Sequence, residues 1–248
     1  MGSQIPPLLR DIAQFQDGIV TRRQALDAGL STGAIVSKLR SGRWRQLYRG
    51  VYATFTGPVP RRARLWAAVG YAGPGAELSH ETAAELHGFA ARRSSVIHVS
   101  IPPSRRVQPV RGLLIHLSSR AGLARFPRPV LPHTSVENTI LDLVDSAVNF
   151  DDVCGWVTRA FGCGLTSDTA LRMAARNRKK LRWRLEFGEI LTAASLGTHP
   201  VLEFRYDRDG VTALRRDQDA GSARTTRPAS VRSGSTACAP AAARSAAG

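Results

Sequence analysis

Apolar residues fall at helical spacing near the start of the chain: Leu8, Leu9, Ile12 and Phe15 follow two prolines suited to a helix entrance and predict a helix over 7–16. It ends near Asp17-Gly18. Ile19 and Val20 lead into "TRRQALDAG", where Thr21 and Gln24 have the spacing of a capping box and Gly29 is a natural stop. Ser31 can cap a third helix by accepting from first-turn amides, with Ile35, Val36 and Leu39 as its expected inward stripe and Gly42 as its end. The pattern then changes period. In "RWRQLYRGVYATF", aromatic and β-branched residues flank Arg49-Gly50, which predicts a β-hairpin. Three short helices followed by a hairpin is the order of a winged helix-turn-helix, and a first domain is placed at 1–56.

"TGPVPRR" over 56–62 interrupts the pattern with glycine and prolines and reads as a linker. A second domain follows over 57–196. "RARLWAAVGYAG" and "SHETAAELHGF" have amphipathic helical spacing, whereas "SSVIHVSIP" and "VRGLLIHLS" alternate as strands do, with Ile97, Val99 and Ile101 on one face and His98 and Ser100 on the other. Thr134 and Glu137 predict a second capping box ahead of Ile140, Leu141, Leu143 and Val144. Further helices are expected at 150–161, 167–177 and 184–196. The fold class is α+β: an N-terminal winged helix-turn-helix, a mixed α+β domain and a disordered tail. From Gly210 onward there is no aromatic residue, isoleucine, glutamate or lysine, so that segment cannot bury enough apolar area to offset chain entropy.

Composition sharpens this picture in two ways. A hydrophobic content of 43% over 248 residues is enough to build a real core. The formal charge of +16, carried almost wholly by arginine since Lys38, Lys179 and Lys180 are the only lysines, favours a polyanionic partner. Arginine and alanine richness also follows from a high-GC genome, so the placement of the charge has to decide. No apolar run has signal-peptide length or the roughly 18 residues of a membrane span, and a cytoplasmic protein with no membrane partner is expected. Cys154, Cys163 and Cys238 are odd in number and show no C-x-x-C spacing, so neither disulfide nor structural zinc is expected.

The charge is concentrated where a winged helix would use it. Over residues 1–56, eight basic side chains oppose Asp11, Asp17 and Asp27, a net +5. On the third helix the inward stripe leaves Thr32, Gly33, Ser37, Lys38, Arg40 and Ser41 outside. Thr32, Gly33 and Ser37, near its N-terminus, are the expected base readers in a major groove. Lys38, Arg40, Arg43, Arg45 and Arg49 ring the helix end and hairpin where phosphates would lie, and Arg22 and Arg23 open the preceding helix. A solvated basic surface, or a helical domain for protein contacts, would use the same residue types. The run "RNRKKLRWR" over 176–184 is a second-tier nucleic-acid contact or a solvated helix connection.

The stretches "DGIVTRRQALDAGLSTGAIVSKLRSGRWRQLYRGVYAT", "LSHETAAELHGF" and "LPHTSVENTILDLV" resemble the AbiEi-type antitoxins of abortive-infection, type IV toxin–antitoxin systems, and more narrowly the high-GC bacterial proteins with an AbiEi-like N-terminal domain. The hairpin residues Gly42, Trp44, Arg49, Gly50, Val51 and Tyr52 are the most specific element. The resemblance implies a winged-helix protein that binds double-stranded DNA and represses its own promoter. It also implies a nucleotidyltransferase toxin as functional partner, with no stable complex required. Longer relatives end in an endonuclease-like domain similar to very-short-patch-repair nucleases, and "GTHPVLEFRYDRD" resembles that junction, with Glu203 matching a glutamate of its first helix. A metal-dependent nuclease needs several converging carboxylates, and beyond Asp209 only Asp217 and Asp219 remain, so 197–248 reads as a remnant of that domain and a tail, displaced by a frame shift near residue 210. The alternative function is thus a truncated, inactive nuclease, and a third is a protein-interaction module that restrains a toxin.

No enzyme activity, cofactor or metal site is expected. His80 and His87 stand two helical turns apart rather than at the i, i+4 spacing of a helical zinc pair, with Ser79 as a helix cap and His87-Gly88 as a helix end. His98 and His116 lie on adjacent predicted strands, where cross-strand pairing accounts for them.

Overall fold

A computed structural model describes residues 5–122 and 130–195. All of them lie in the first of two compact units, Met1–Val201 and Leu202–Gly248, so the expectations for Glu203, the nuclease remnant and the tail fall outside the described residues.

The first helices form as their end signals direct: α1 (Pro7–Phe15), α2 (Arg22–Asp27) and α3 (Thr32–Arg40). Thr21 and Gln24 make the reciprocal capping box of α2, and the Ser31 hydroxyl accepts from the Ala34 amide at the head of α3. The hairpin is β2 (Arg45–Tyr48) and β3 (Val51–Ala53), turning at Arg49-Gly50, where Gly50 holds φ at 73°. A third strand, β1 (Ile19–Thr21), was not expected from the sequence; it pairs antiparallel with β3, giving the order β1-β3-β2.

This small sheet is covered on both faces, and the alternation of its residues shows how. Val20 and Tyr52 pack with Leu9, Ala25, Leu30, Ile35 and Trp44 of the helical module. Their neighbours Ile19, Val51 and Ala53 point the other way, into a cluster built on α4 (Arg61–Ala72). The hydrophobic core therefore runs on past residue 56. Ala63, Ala67, Ala68 and Ala72 of α4 are fully buried, and side chains this small let backbone approach the helix closely.

Helix α4 also packs on a second sheet, β4 (Glu77–Leu78), β5 (Ile97–Ile101) and β6 (Leu113–Leu117), in the order β4-β5-β6. Strand β4 is antiparallel and β6 parallel to β5. Ile97, Val99 and Ile101 face the α4 cluster, as their alternation predicts. Among the described residues the remaining helices are α5 (His80–His87), α6 (Val136–Ser146), α7 (Phe150–Gly162), α8 (Asp168–Arg176) and α9 (Arg184–Ser195). They share a core of Phe89, Ile140, Leu141, Val144, Val157, Leu171, Ile190 and Leu191. Gly88 ends α5 in the left-handed conformation, which a Cβ would disfavour.

Two end signals act differently from expectation. Ser135, one residue beyond Thr134, caps α6 by accepting from the Asn138 amide at 3.3 Å. Thr134 turns inward to Thr139 Oγ1 at 2.6 Å, while Glu137 accepts from the Thr166 hydroxyl at 3.0 Å, so the predicted box is replaced by tertiary bonds. Ser79 precedes α5 but makes no side-chain cap. Among the described residues no helix is long and apolar enough to cross a membrane.

Candidate nucleic-acid interface

Helix α3 presents one continuous exposed face. Thr32, Gly33, Val36, Ser37 and Arg40 are all exposed, and their spacing of one, four, five and eight from Thr32 places them on the same side of a 3.6-residue repeat. A Cβ on Gly33 would meet nothing nearer than the Ser31 hydroxyl at 3.9 Å, so this side is open to close approach. Val36 was expected to face inward and is 36% exposed; Lys38 was expected to face outward and is 7% exposed. The helix is rotated relative to the expected stripe because a lysine stem is itself apolar. Its amino nitrogen lies 5.8 Å from the centre of the buried Trp44 ring. Lys38 thus leaves the set of outward-facing cations. Val36 joins the set of outward-facing groups, a position readable in the sequence from its four-residue interval to Thr32 and Arg40.

The other cations divide into committed and open groups. Arg22 donates to the Thr32 hydroxyl at 3.1 Å, tying α2 to the head of α3. Arg23 pairs with Asp27 at 3.6 Å, both side chains well exposed, and Arg45 donates to the Gly57 carbonyl at 3.0 Å. Arg40, Arg43 and Arg49 are exposed and make no ion pair among the described residues. Asp17 is engaged by Arg62 at 2.8 Å. No acidic residue stands in the first turn of α3, so its positive dipole end is uncompensated by the helix itself.

The basic run 176–184 serves packing. Arg178, only 5% exposed, donates to Asp142 at 2.6 Å and to the Asn138 carbonyl, and Trp183 and Arg182 both donate to the Ala147 carbonyl. Arg184 donates to the carbonyls of Ala175 and Arg178. Burial pushes the Asp142 carboxyl above its ordinary range, and Arg178 opposes the shift without cancelling it. Lys179 and Lys180 remain exposed.

A second site was not visible in the pairings drawn from the sequence. His80, at the head of α5, joins His98 of β5 and His116 of β6, and one ring nitrogen of each lies within 4.8 Å of the others. His98 Nδ1 and His116 Nε2 are 3.1 Å apart, and the His80 ring stacks on His116 with centroids 3.7 Å apart. His87 stands apart, its Nε2 bonded to the Thr134 carbonyl at 2.8 Å. Burial is the main cause holding the cluster below the usual imidazole range: His80 at about 3, His116 at about 4, and His98 lowered too, with neighbouring imidazoles adding to the shifts of His80 and His116. The joining signal was the strand pairing itself. Leu78 opposite Val99 and the Ser79 amide bonded to the His98 carbonyl bring residue 80 alongside β5.

Comparison with known proteins places a family on the first of these two sites. Residues 7–54 match the family model described as transcriptional regulator, AbiEi antitoxin. Over those residues the N-terminal module is similar to AbiEi-antitoxin regulators, the same stretch that holds the resembling hairpin and helices. A comparison with curated protein sequences finds no match. Among solved structures, the chain is similar to the RV2827C protein from Mycobacterium tuberculosis, with 18% identity, 75% of each chain covered and a TM-score of 0.48.

Proposed function

We propose that the chain is a duplex-DNA-binding transcriptional regulator of antitoxin type that represses its own promoter. Residues 1–56 are the DNA-binding domain and 57–196 the central domain that carries it. The observation that bears most of this reading is the exposed face of α3, with Thr32, Gly33, Val36 and Ser37 on one solvent-facing side beside the open cations Arg40, Arg43 and Arg49. A helix of this width fits the major groove. Its small and hydroxyl side chains can reach base edges, and the Val36 methyls can meet a thymine methyl. The hairpin behind it carries Arg43, Arg45 and Arg49 at the height of the flanking phosphates. Arg22 acts by holding the Thr32 hydroxyl in place, and Arg23 adds charge at the rim. A nucleotidyltransferase toxin is the proposed functional partner, with no stable complex required.

Electrophoretic shifts on the promoter-proximal DNA of the gene itself, run over a salt series, test this reading. With about six phosphates neutralised, affinity should fall by roughly three orders of magnitude or more between 50 and 200 mM salt. Arg40→Ala and Arg43→Ala should each flatten the log–log salt slope by about 0.9 and weaken all duplexes alike, whereas Ser37→Ala should change the preference among them. Unchanged affinity and slope for both arginine variants would refute the assigned orientation.

A further inference from the structure

We propose that His80, His98 and His116 form a binding site for one divalent transition-metal ion of the zinc class. The three imidazoles come from three different elements, the head of α5 and the parallel pair β5 and β6, and their nitrogens already lie within 4.8 Å of one another. Three tetrahedral zinc ligands at ordinary bond lengths sit about 3.3 Å apart, and His98 Nδ1 and His116 Nε2 are at 3.1 Å. The remaining adjustment belongs to His80, whose ring stacks on His116 and has to turn about its χ2 bond to aim a nitrogen between the other two.

Three further features fit a ligand at that place. His80 holds a backbone φ of 50°, the left-handed region a non-glycine residue rarely occupies, and it opens a helix there without a side-chain cap from Ser79. The Ser79 hydroxyl is engaged elsewhere: it lies 3.0 Å from His80 Nδ1 and accepts from the buried Ser100 hydroxyl at 2.8 Å. Nδ1 of His80 is held at Ser79, and the turn about χ2 releases it, so the serine pair orients the ring before an ion is bound and either ring nitrogen can then supply the lone pair that a metal takes. Finally, His80 and His116 line a cavity of about 1040 Å³ together with Ser118, Arg120, Asp142 and Arg178, which leaves a fourth coordination position open to water or a small anion. The Arg178 charge that would repel a cation is met by Asp142 at 2.6 Å.

The full chain, stripped with chelator and titrated with Zn²⁺ or Co²⁺ by calorimetry, should bind one ion per chain. His98→Gln and His116→Gln should each weaken that binding by at least about 100-fold while His133→Gln leaves it unchanged. X-ray absorption of the zinc-loaded wild type should show three imidazole nitrogens and a light fourth ligand at about 2.0–2.1 Å with no sulfur, a reading that stands even if a variant fails to fold. Sulfur in the shell, fewer than three imidazoles, or no uptake at one equivalent by the wild type would overturn the site.

Discussion

The amino nitrogen of Lys38 lies 5.8 Å from the centre of the Trp44 ring, and the Trp44 amide donates to the Lys38 carbonyl at 3.0 Å. The end of α3 and the start of the hairpin are thus joined by one residue pair. Lys38→Ala should lower the unfolding free energy by about 1–2 kcal/mol through lost stem packing and cation–π contact. Lys38→Met should recover the packing share. Neither should flatten the salt slope of DNA binding at a temperature where the protein is folded. Denaturant melts alongside shift assays check this; a Lys38→Ala protein with wild-type stability and a flatter slope would mean the side chain faces phosphate.

How far the helical module was legible follows from the same pair. The capping box at Thr21 and Gln24, the Ser31 cap and the Arg49-Gly50 turn depend on residues within a few positions of each other, so local pattern suffices to read them. The rotation of α3 does not, because lysine is polar at its tip and apolar along its stem, and only Trp44 decides which part governs. Strand β1 escaped because its Ile19 and Val20 are both buried, on opposite faces, so no polar-apolar alternation marks it.

Gly70 allows α4 to lie against β1. A Cβ there would stand 3.0 Å from Thr21 Cγ2 and 3.8 Å from the Val51 methyls. Gly70→Val should therefore cost roughly 1–3 kcal/mol by overpacking, although it replaces glycine within a helix. Thr21→Ser removes the methyl that clashes and keeps the hydroxyl that caps α2. Adding it to Gly70→Val should restore part of the loss in a double-mutant cycle. Strict additivity of the two changes would mean that α4 and β1 are not in this contact.

The cap of α6 separates local spacing from tertiary demand. Thr134 and Glu137 have box spacing, yet the inward Thr134–Thr139 pair and the Glu137–Thr166 bond draw both away, and Ser135 takes the cap. Ser135→Ala should cost about 1 kcal/mol. Thr134→Val should cost about as much on thermal melts, because the buried Thr139 hydroxyl loses that partner but still donates to the Ser135 carbonyl at 2.7 Å. The histidine cluster was half hidden by the same kind of distance: the cross-strand pair His98–His116 was expected and is present at 3.1 Å, but His80 was weighed only against His87 on its own helix, and its joining the pair needs β4 to pair with β5.

Glu77 supplies a test with a definite sign. Its carboxyl is buried beside β5 and is pushed up to about 7 from an ordinary value of 4.5, chiefly by loss of water and then by the Asp142 charge, with the Gly122 amide and Arg120 pulling the other way. The folded state therefore holds this proton more tightly than the unfolded chain. Its contribution to stability is complete below about pH 4.5 and is lost as pH rises through 7. Glu77→Gln, which keeps an acceptor for Gly122 and has no charge to bury, should match the wild type near pH 4. It should then gain on the wild type by at most about 1.4 kcal/mol per pH unit up to neutrality. The cluster histidines, held below their ordinary range, tilt the wild-type profile the opposite way, so the difference between variant and wild type is the quantity to measure. Thermal melts from pH 4 to 8 that show a constant difference would mean Glu77 titrates in the folded protein at its ordinary value.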